Sequence, residues 1–171
     1  MPIYAKRPES TFTPAPEGLH PAVCCDVVEL GTEVNSFNGG LQEKVRIVWQ
    51  LEDINQDTGK PYEASQKYTL SLHEKAKLCQ HLEAWRGRKF TEEEVAGFDL
   101  EKLIGVPCQI QIVHNIKEGG KTYANVQAVV PLGKGMVKPR VSVDYVRFKA
   151  RQANSGSNGE QFHASDDDVP F

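Results

Sequence analysis

Between Glu43 and Asp53 the chain alternates without interruption. Val45, Ile47, Trp49 and Leu51 fall on one parity, and Lys44, Arg46, Val48 and Gln50 on the other. Successive side chains of a strand point to opposite faces, so a period of two predicts a strand with one buried face. Parity places Trp49 with the aliphatic residues, where the core is its default environment. Arg46, on the polar parity, is the better ligand candidate.

The same period recurs in four other stretches. Ala22 to Leu30 alternates Val23, Cys25 and Val27 with Cys24, Asp26 and Val28. Ser65 to Leu72 places Tyr68, Leu70 and Leu72 on one face and Lys67, Thr69 and Ser71 on the other. Cys108 to His114 turns Cys108, Ile110 and Ile112 inward. Thr122 to Val130 offers a small apolar face of Ala124, Val126, Ala128 and Val130, with Tyr123, Asn125 and Gln127 opposite. Tyr123 is the one strand aromatic on a polar parity. The joints carry turn chemistry: Gly31 to Gly40 with the solvent-facing Phe37, Asp57 to Pro61, and Glu118 to Lys121.

Between the third and fourth strands the period changes. Ala76, Leu78, Leu82 and Trp85 have helical spacing, with Lys75, Lys77 and Glu83 outward, which predicts a helix over His73 to Trp85. Ser71 and Glu74 suit a capping box, and Gly87 a stop. Thr91 caps a short acidic helical segment, and a further turn runs through Leu100 to Ile104 before Gly105, Val106 and Pro107 break it. Three strands, a helix and two strands predict a mainly β domain. A five-stranded barrel with its helix between strands 3 and 4 is the OB-fold.

At 171 residues, one domain with a tail is expected. The expected organisation is an extended, Pro-rich arm over 1–20, the OB-fold domain with a basic extension over 21–151, and a flexible linker and tip over 152–171. In the arm, Tyr4, Lys6, Arg7 and Phe12 either touch a ligand or pack on the body. The formal charge of −3 hides an asymmetry, because residues 155–171 hold four carboxylates and no Lys or Arg, and without them the charge is +1. No stretch has the length of a membrane span, and the N-terminus lacks the apolar run of a signal peptide. The cytoplasm is therefore the expected compartment, and Cys24, Cys25, Cys79 and Cys108 are expected as thiols.

No Cys-x-x-Cys, paired His or phosphate-binding glycine loop is present, so neither a metal nor another cofactor is expected. No Ser/His/Asp or Cys/His set is placed by the pattern either. The acidic runs Glu92 to Glu94 and Asp166 to Asp168 are the only nuclease-like clusters, and neither is preorganised to hold a divalent cation. A metal-dependent nuclease is the weakest of the readings, and no catalytic residue is expected.

Basic and aromatic residues together are the composition that follows a phosphate backbone and stacks on bases. Arg86, Arg88 and Lys89 cluster beside Trp85 and Phe90, as phosphate contacts or as cations suiting a helix C-terminus. Gly133 to Arg151 carries six cations against Asp144, with Tyr145 and Phe148 interleaved. This is either nucleic-acid contact or a last strand at Val141 to Val143 followed by a solvated tail. The candidate nucleic-acid contacts are Lys44, Arg46, Lys67, Arg86, Arg88, Lys89, Lys134, Lys138 and Arg140, with Phe37, Trp49, Tyr68 and Tyr123 as candidate stacking rings.

The chain ends Asp166, Asp167, Asp168, Val169, Pro170, Phe171, after a stretch rich in Asn, Ser, Gly and Gln. Pro170 biases Val169 to an extended conformation, and Phe171 offers a ring and an α-carboxylate together. This tip resembles that of bacterial and phage single-stranded-DNA-binding proteins. The stretches Tyr68 to Lys75, Leu82 to Thr91, Phe98 to Leu100 and Leu103 to Cys108 are similar to phage-encoded proteins taken to be single-strand binders. The resemblance covers roughly residues 20–130 and 166–171. It implies an OB-fold, sequence-independent coating of single-stranded DNA in replication, recombination and repair, and recruitment of replication proteins through Asp166 to Phe171. It also implies the host cytoplasm for a phage-encoded chain. Only the tip carries over residue by residue. A homo-oligomer is compatible with the fold. The alternatives are a recombination mediator and an OB-fold module that binds protein.

Overall fold

The computed structural model describes residues 14–116, 119–120 and 122–154. The expectations for the first 13 residues and for the linker and tip from 155 onward lie outside the described residues.

The order of elements is β1 (Gly18–Val34), β2 (Leu41–Ile54), β3 (Pro61–Thr69), α1 (Lys77–Arg86), α2 (Glu92–Ala96), a 3-10 turn (Leu100–Leu103), β4 (Pro107–Ile116), β5 (Thr122–Val130) and α3 (Phe148–Asn154). The five strands form one antiparallel sheet in the order β3-β2-β1-β4-β5. β1 is its centre: residues 18–23 pair with β4 and residues 22–34 with β2. The expected extended arm over 1–20 is thus too long, because Gly18, Leu19 and His20 are already paired with β4. At the margins of the sheet, β3 and β5 lie close to each other.

The alternation in β2 is realised in full. Val45, Ile47, Trp49 and Leu51 are buried, facing Cys108, Ile110 and Ile112 of β4 within one core. In β1 the alternation through residues 23, 25 and 27 does not hold. Cys24 pairs with Trp49 and Asp26 with Val48, which leaves Cys25 as the extra residue of a bulge. A bulge exchanges the two parities, so Ala22, Cys24 and then Val27 enter the core. A bulge also corrects the apolar face of β5. Gln111 pairs with Ala128 and Ile112 with Val126, so Gln127 is passed over and Val126 and Val129 are the buried pair.

α1 lies against this core with Leu78, Leu82 and Trp85 on one face. Trp85 packs on Trp49 with ring centroids 6.0 Å apart, and its indole N–H donates to the Pro107 carbonyl at 3.1 Å. The helix begins later than its pattern predicts. Ala76 is the N-cap and has no side-chain cap bond, so the expected Ser71/Glu74 capping box is absent. Ser71 instead accepts from the His73 N–H, and the His73 ring from the Lys75 N–H, so local side-chain bonds hold residues 71–75 outside the helix. The stop is as expected: Gly87 takes the left-handed conformation (φ 73°) and its N–H returns to the Glu83 carbonyl. The capping box that does form is at α2, between Thr91 and Glu94. β3 ends at Thr69, and Leu70 leaves the sheet exposed rather than on the apolar face expected for it.

The stretch Val141 to Val143 is not a strand. Residues 142–148 run as a strap over the outer side of the sheet. The Ser142 N–H donates to the buried Gln50 side chain, and Asp26 receives the Tyr145 hydroxyl, the Arg147 Nε and the Phe148 N–H. This cover explains why every residue of β1 from Ala22 to Val28 is buried.

Candidate functional site

The polar parity of β2 and β3 forms the outer face of their half of the sheet. Arg46 lies directly opposite Lys67, and Lys44 opposite Thr69. Lys44 Nζ donates to Thr69 Oγ1 at 2.7 Å. Like charges directly opposite each other on a sheet repel, so the Arg46–Lys67 pair works against the fold. Lys67 is countered by Glu33 of β1, whereas Arg46 is exposed and has no carboxylate partner among the described residues.

This face runs into a cavity of about 440 Å³ between the sheet and the approach to α1. Lys44, Lys67, His73, Lys75 and Lys77 line it with Gln42, and no carboxylate does. Four ammonium groups around one concavity raise its positive potential and attract anions. His73, Lys75 and Lys77 carry no local sign of this role, because helical spacing predicts the two lysines on the solvated side of a helix. The delayed helix start, with its side-chain-bonded residues 71–75, is what turns this segment toward Lys44 and Lys67.

Next to this face the β1–β2 hairpin ends in an ordered apolar tip. The Asn35 N–H donates to the Gly40 carbonyl, and the side chains of Asn35 and Asn38 accept from the Phe37 and Gly40 N–H groups. The turn therefore presents Phe37, 98% exposed, above the exposed cross-strand pair Val34 and Leu41.

The remaining candidates are dispersed, and three are corrected. Trp49 is 0% exposed and Tyr68 is buried, so neither ring offers a face to a base; both complete the core, as their parity had suggested. The Tyr68 hydroxyl lies 2.7 Å from His81 Nδ1. Burial first, and then the charge of Lys77, lower the His81 pKa to about 4, so the ring is neutral and accepts a hydrogen bond from the phenol O–H; burial raises the Tyr68 pKa. Arg86 is the third correction. Its side chain is 1% exposed, bound to Glu94 at 2.6 Å and stacked 4.5 Å from the Phe90 centroid, so it ties α1 to α2. Its position in the last turn of α1, followed by an aromatic and an acidic segment, was the signal for this role. Arg88 and Lys89 just beyond it are exposed. Tyr123 is exposed on β5, in the other hairpin, and is not among the residues of the lysine-lined cavity.

The basic extension divides. Lys134, Lys138 and Arg140 are exposed and have no carboxylate partner among the described residues. Arg147 instead bridges Asp26 and Glu101, and these two carboxylates raise its pKa, Glu101 contributing most. Arg151 lies over Tyr145 and Phe148 at about 6 Å. The candidate docking tip, Asp166, Asp167, Asp168, Val169, Pro170 and Phe171, lies outside the described residues.

Among the described residues no three His, Cys, Asp or Glu side chains converge as a metal site, and no helix is long and apolar enough to cross a membrane. All four cysteines are free and buried, and burial pushes the Cys25 and Cys79 thiols up to about 12 and about 11. Raised thiols are poor nucleophiles and poor metal ligands. No protein-family model matches this sequence, and no curated protein matches it significantly.

Proposed function

We propose that this protein binds single-stranded DNA, without reading sequence, on the outer face of β2 and β3. The observation that carries the reading is the Arg46–Lys67 pair. Two cations held opposite each other, opening on a concavity lined by Lys44, Lys75 and Lys77, make sense as a site for a polyanion. A single strand suits it better than duplex, because Phe37 offers a ring that needs an unpaired base to stack on. Lys134, Lys138 and Arg140, exposed on the chain after β5, are read as further phosphate contacts.

The sheet is read as an OB-type barrel. The strand order, the helix between β3 and β4, the long central β1 and the nearness of β3 to β5 support that reading. Binding on the face of strands 2 and 3, with the loop between strands 1 and 2, is how such barrels hold oligonucleotides. The role is stoichiometric rather than catalytic: coating and protecting single strands during replication, recombination or repair in the cytoplasm, that of the host for a phage-encoded chain. Asp166 to Phe171 is read as a docking peptide for replication proteins.

The test is binding of labelled poly-dT and of matched duplex at low and moderate salt. Tight single-strand binding, weak duplex binding and a steep salt slope are expected. Arg46→Ala should weaken binding and reduce the slope by about one, and Lys67→Ala should also weaken binding. Absence of binding to either nucleic acid overturns the proposal and favours a module that binds protein. Binding only when a partner protein is added favours a recombination mediator.

A further inference from the structure

We propose that the Glu33 carboxylate is a built-in competitor of the bound strand, occupying Lys67 in the free protein until a phosphate displaces it. This inference rests on the reading of the β2–β3 face given above and concerns the regulation of that face.

Both Glu33 oxygens lie near Lys67 Nζ, at 2.6 Å and 2.5 Å. Glu33 is on β1 and Lys67 on β3, with β2 between them, and Gln42 of β2 is the residue paired with Glu33. The carboxylate therefore reaches across a strand to meet this lysine. The reach has a physical reason. Lys67 faces Arg46 on the neighbouring strand, and without a counter-charge the two repel. Glu33 is the only carboxylate within ion-pair distance of Lys44, Arg46 or Lys67 among the described residues.

The pair is built to open. The side chains of Lys67 and Glu33 are 44% and 41% exposed, and ion pairs so exposed hold weakly. A phosphate arriving beside Arg46, Lys44 and Lys67 meets three cations at once, and Glu33 alone cannot match that attraction. Once displaced, the carboxylate stays beside the phosphate path, where it repels the strand and draws a cation from solution. The net effect is a bound state weaker, and less salt-sensitive, than its cations alone would give.

The test uses the full chain and a labelled dT oligonucleotide, with Glu33→Gln, Lys67→Gln and the double variant, across a salt series. Glu33→Gln keeps the side-chain shape and removes the charge. It should tighten binding about 3- to 10-fold at low salt and steepen the slope of log affinity against log salt by up to about one. In the Lys67→Gln background the same substitution should give less than half of that gain. Thermal unfolding of each variant, expected to stay close to the wild type, shows that the fold is unchanged.

If the wild type binds and Glu33→Gln leaves affinity and slope unaltered, this proposal falls while the binding face stands. An equal gain with and without Lys67 also overturns it, because the effect is then general charge removal. If the wild type binds no single strand, the reading of the face falls, and this inference with it.

Discussion

Asp26 is a carboxylate 1% exposed to solvent, and it accepts from its neighbour Val27 N–H, Tyr145 Oη, Arg147 Nε and Phe148 N–H at 2.8–3.0 Å. A buried charge is tolerated where donors surround it, and removing one member of such a set is strongly destabilising. Asp26→Ala should lower stability by about 3 kcal/mol in urea unfolding, because it orphans the strap's donors. Arg147→Ala should cost about as much, about 3 kcal/mol, because it removes the one cation paired with this buried carboxylate among the described residues and leaves it only neutral donors. Equal, near-zero effects would mean that the strap does not hold the sheet. His81 gives a prediction in pH. The folded protein keeps its ring neutral down to about pH 4, whereas the unfolded chain takes a proton near 6.5. Stability from this group is therefore full above pH 6.5 and falls as the pH drops towards 4, by about 2–3 kcal/mol. His81→Gln should flatten that limb of the unfolding profile. Below it a second limb follows from Glu94, whose pKa the Arg86 guanidinium and the Thr91 backbone lower to about 2. Its contribution is present above pH 4.5 and lost as the pH falls towards 2.

Among the elements, the β1–β2 hairpin carries the sharpest separation of stability from binding. Phe37 makes no buried contact, so Phe37→Ala should change the unfolding free energy by under about 0.5 kcal/mol. If its ring stacks on a base, affinity for poly-dT should fall between about 5- and 150-fold, because one stacked base is worth about 1–3 kcal/mol. Unchanged affinity would remove the hairpin from the interface and leave the lysine-lined cavity as the whole of it. Elements also show where sequence patterning reached its limit. β2 and β4 alternate cleanly, so Trp49 and Ile110 were placed in the core by parity alone. β1 carries two register shifts and β5 one, and a bulge is a property of two strands in register, invisible in either one. α1 starts later than its spacing predicts for a related reason. Ser71 and Glu74 have the spacing of a capping box, but Ser71 and His73 spend their side chains on turn bonds.

For the whole molecule, the electrostatic organisation is the point at issue. The carboxylates of residues 155–171 and the cations of the β2–β3 face have opposite charge on one chain. Deletion of Asp166 to Phe171 should leave poly-dT binding equal or tighter and abolish capture of replication proteins in a pull-down. Equal capture by the full and shortened chains would sink the docking role of the tip. The sequence by itself determined the five described strands, the place of α1 between β3 and β4 and most of the core, because each depends on periodicity within a single segment. It also supplied Lys44, Arg46 and Lys67 as a polar parity. Only the tertiary structure decided which cations meet. Arg46 faces Lys67 because β2 and β3 pair in that register, and Lys75 and Lys77 join them because the chain turns before α1. It decided, too, that Arg86 and Arg147 serve the fold, since their partners Glu94, Asp26 and Glu101 are brought to them by packing. Charge type is written residue by residue, whereas charge partnership depends on distances that only the folded chain defines.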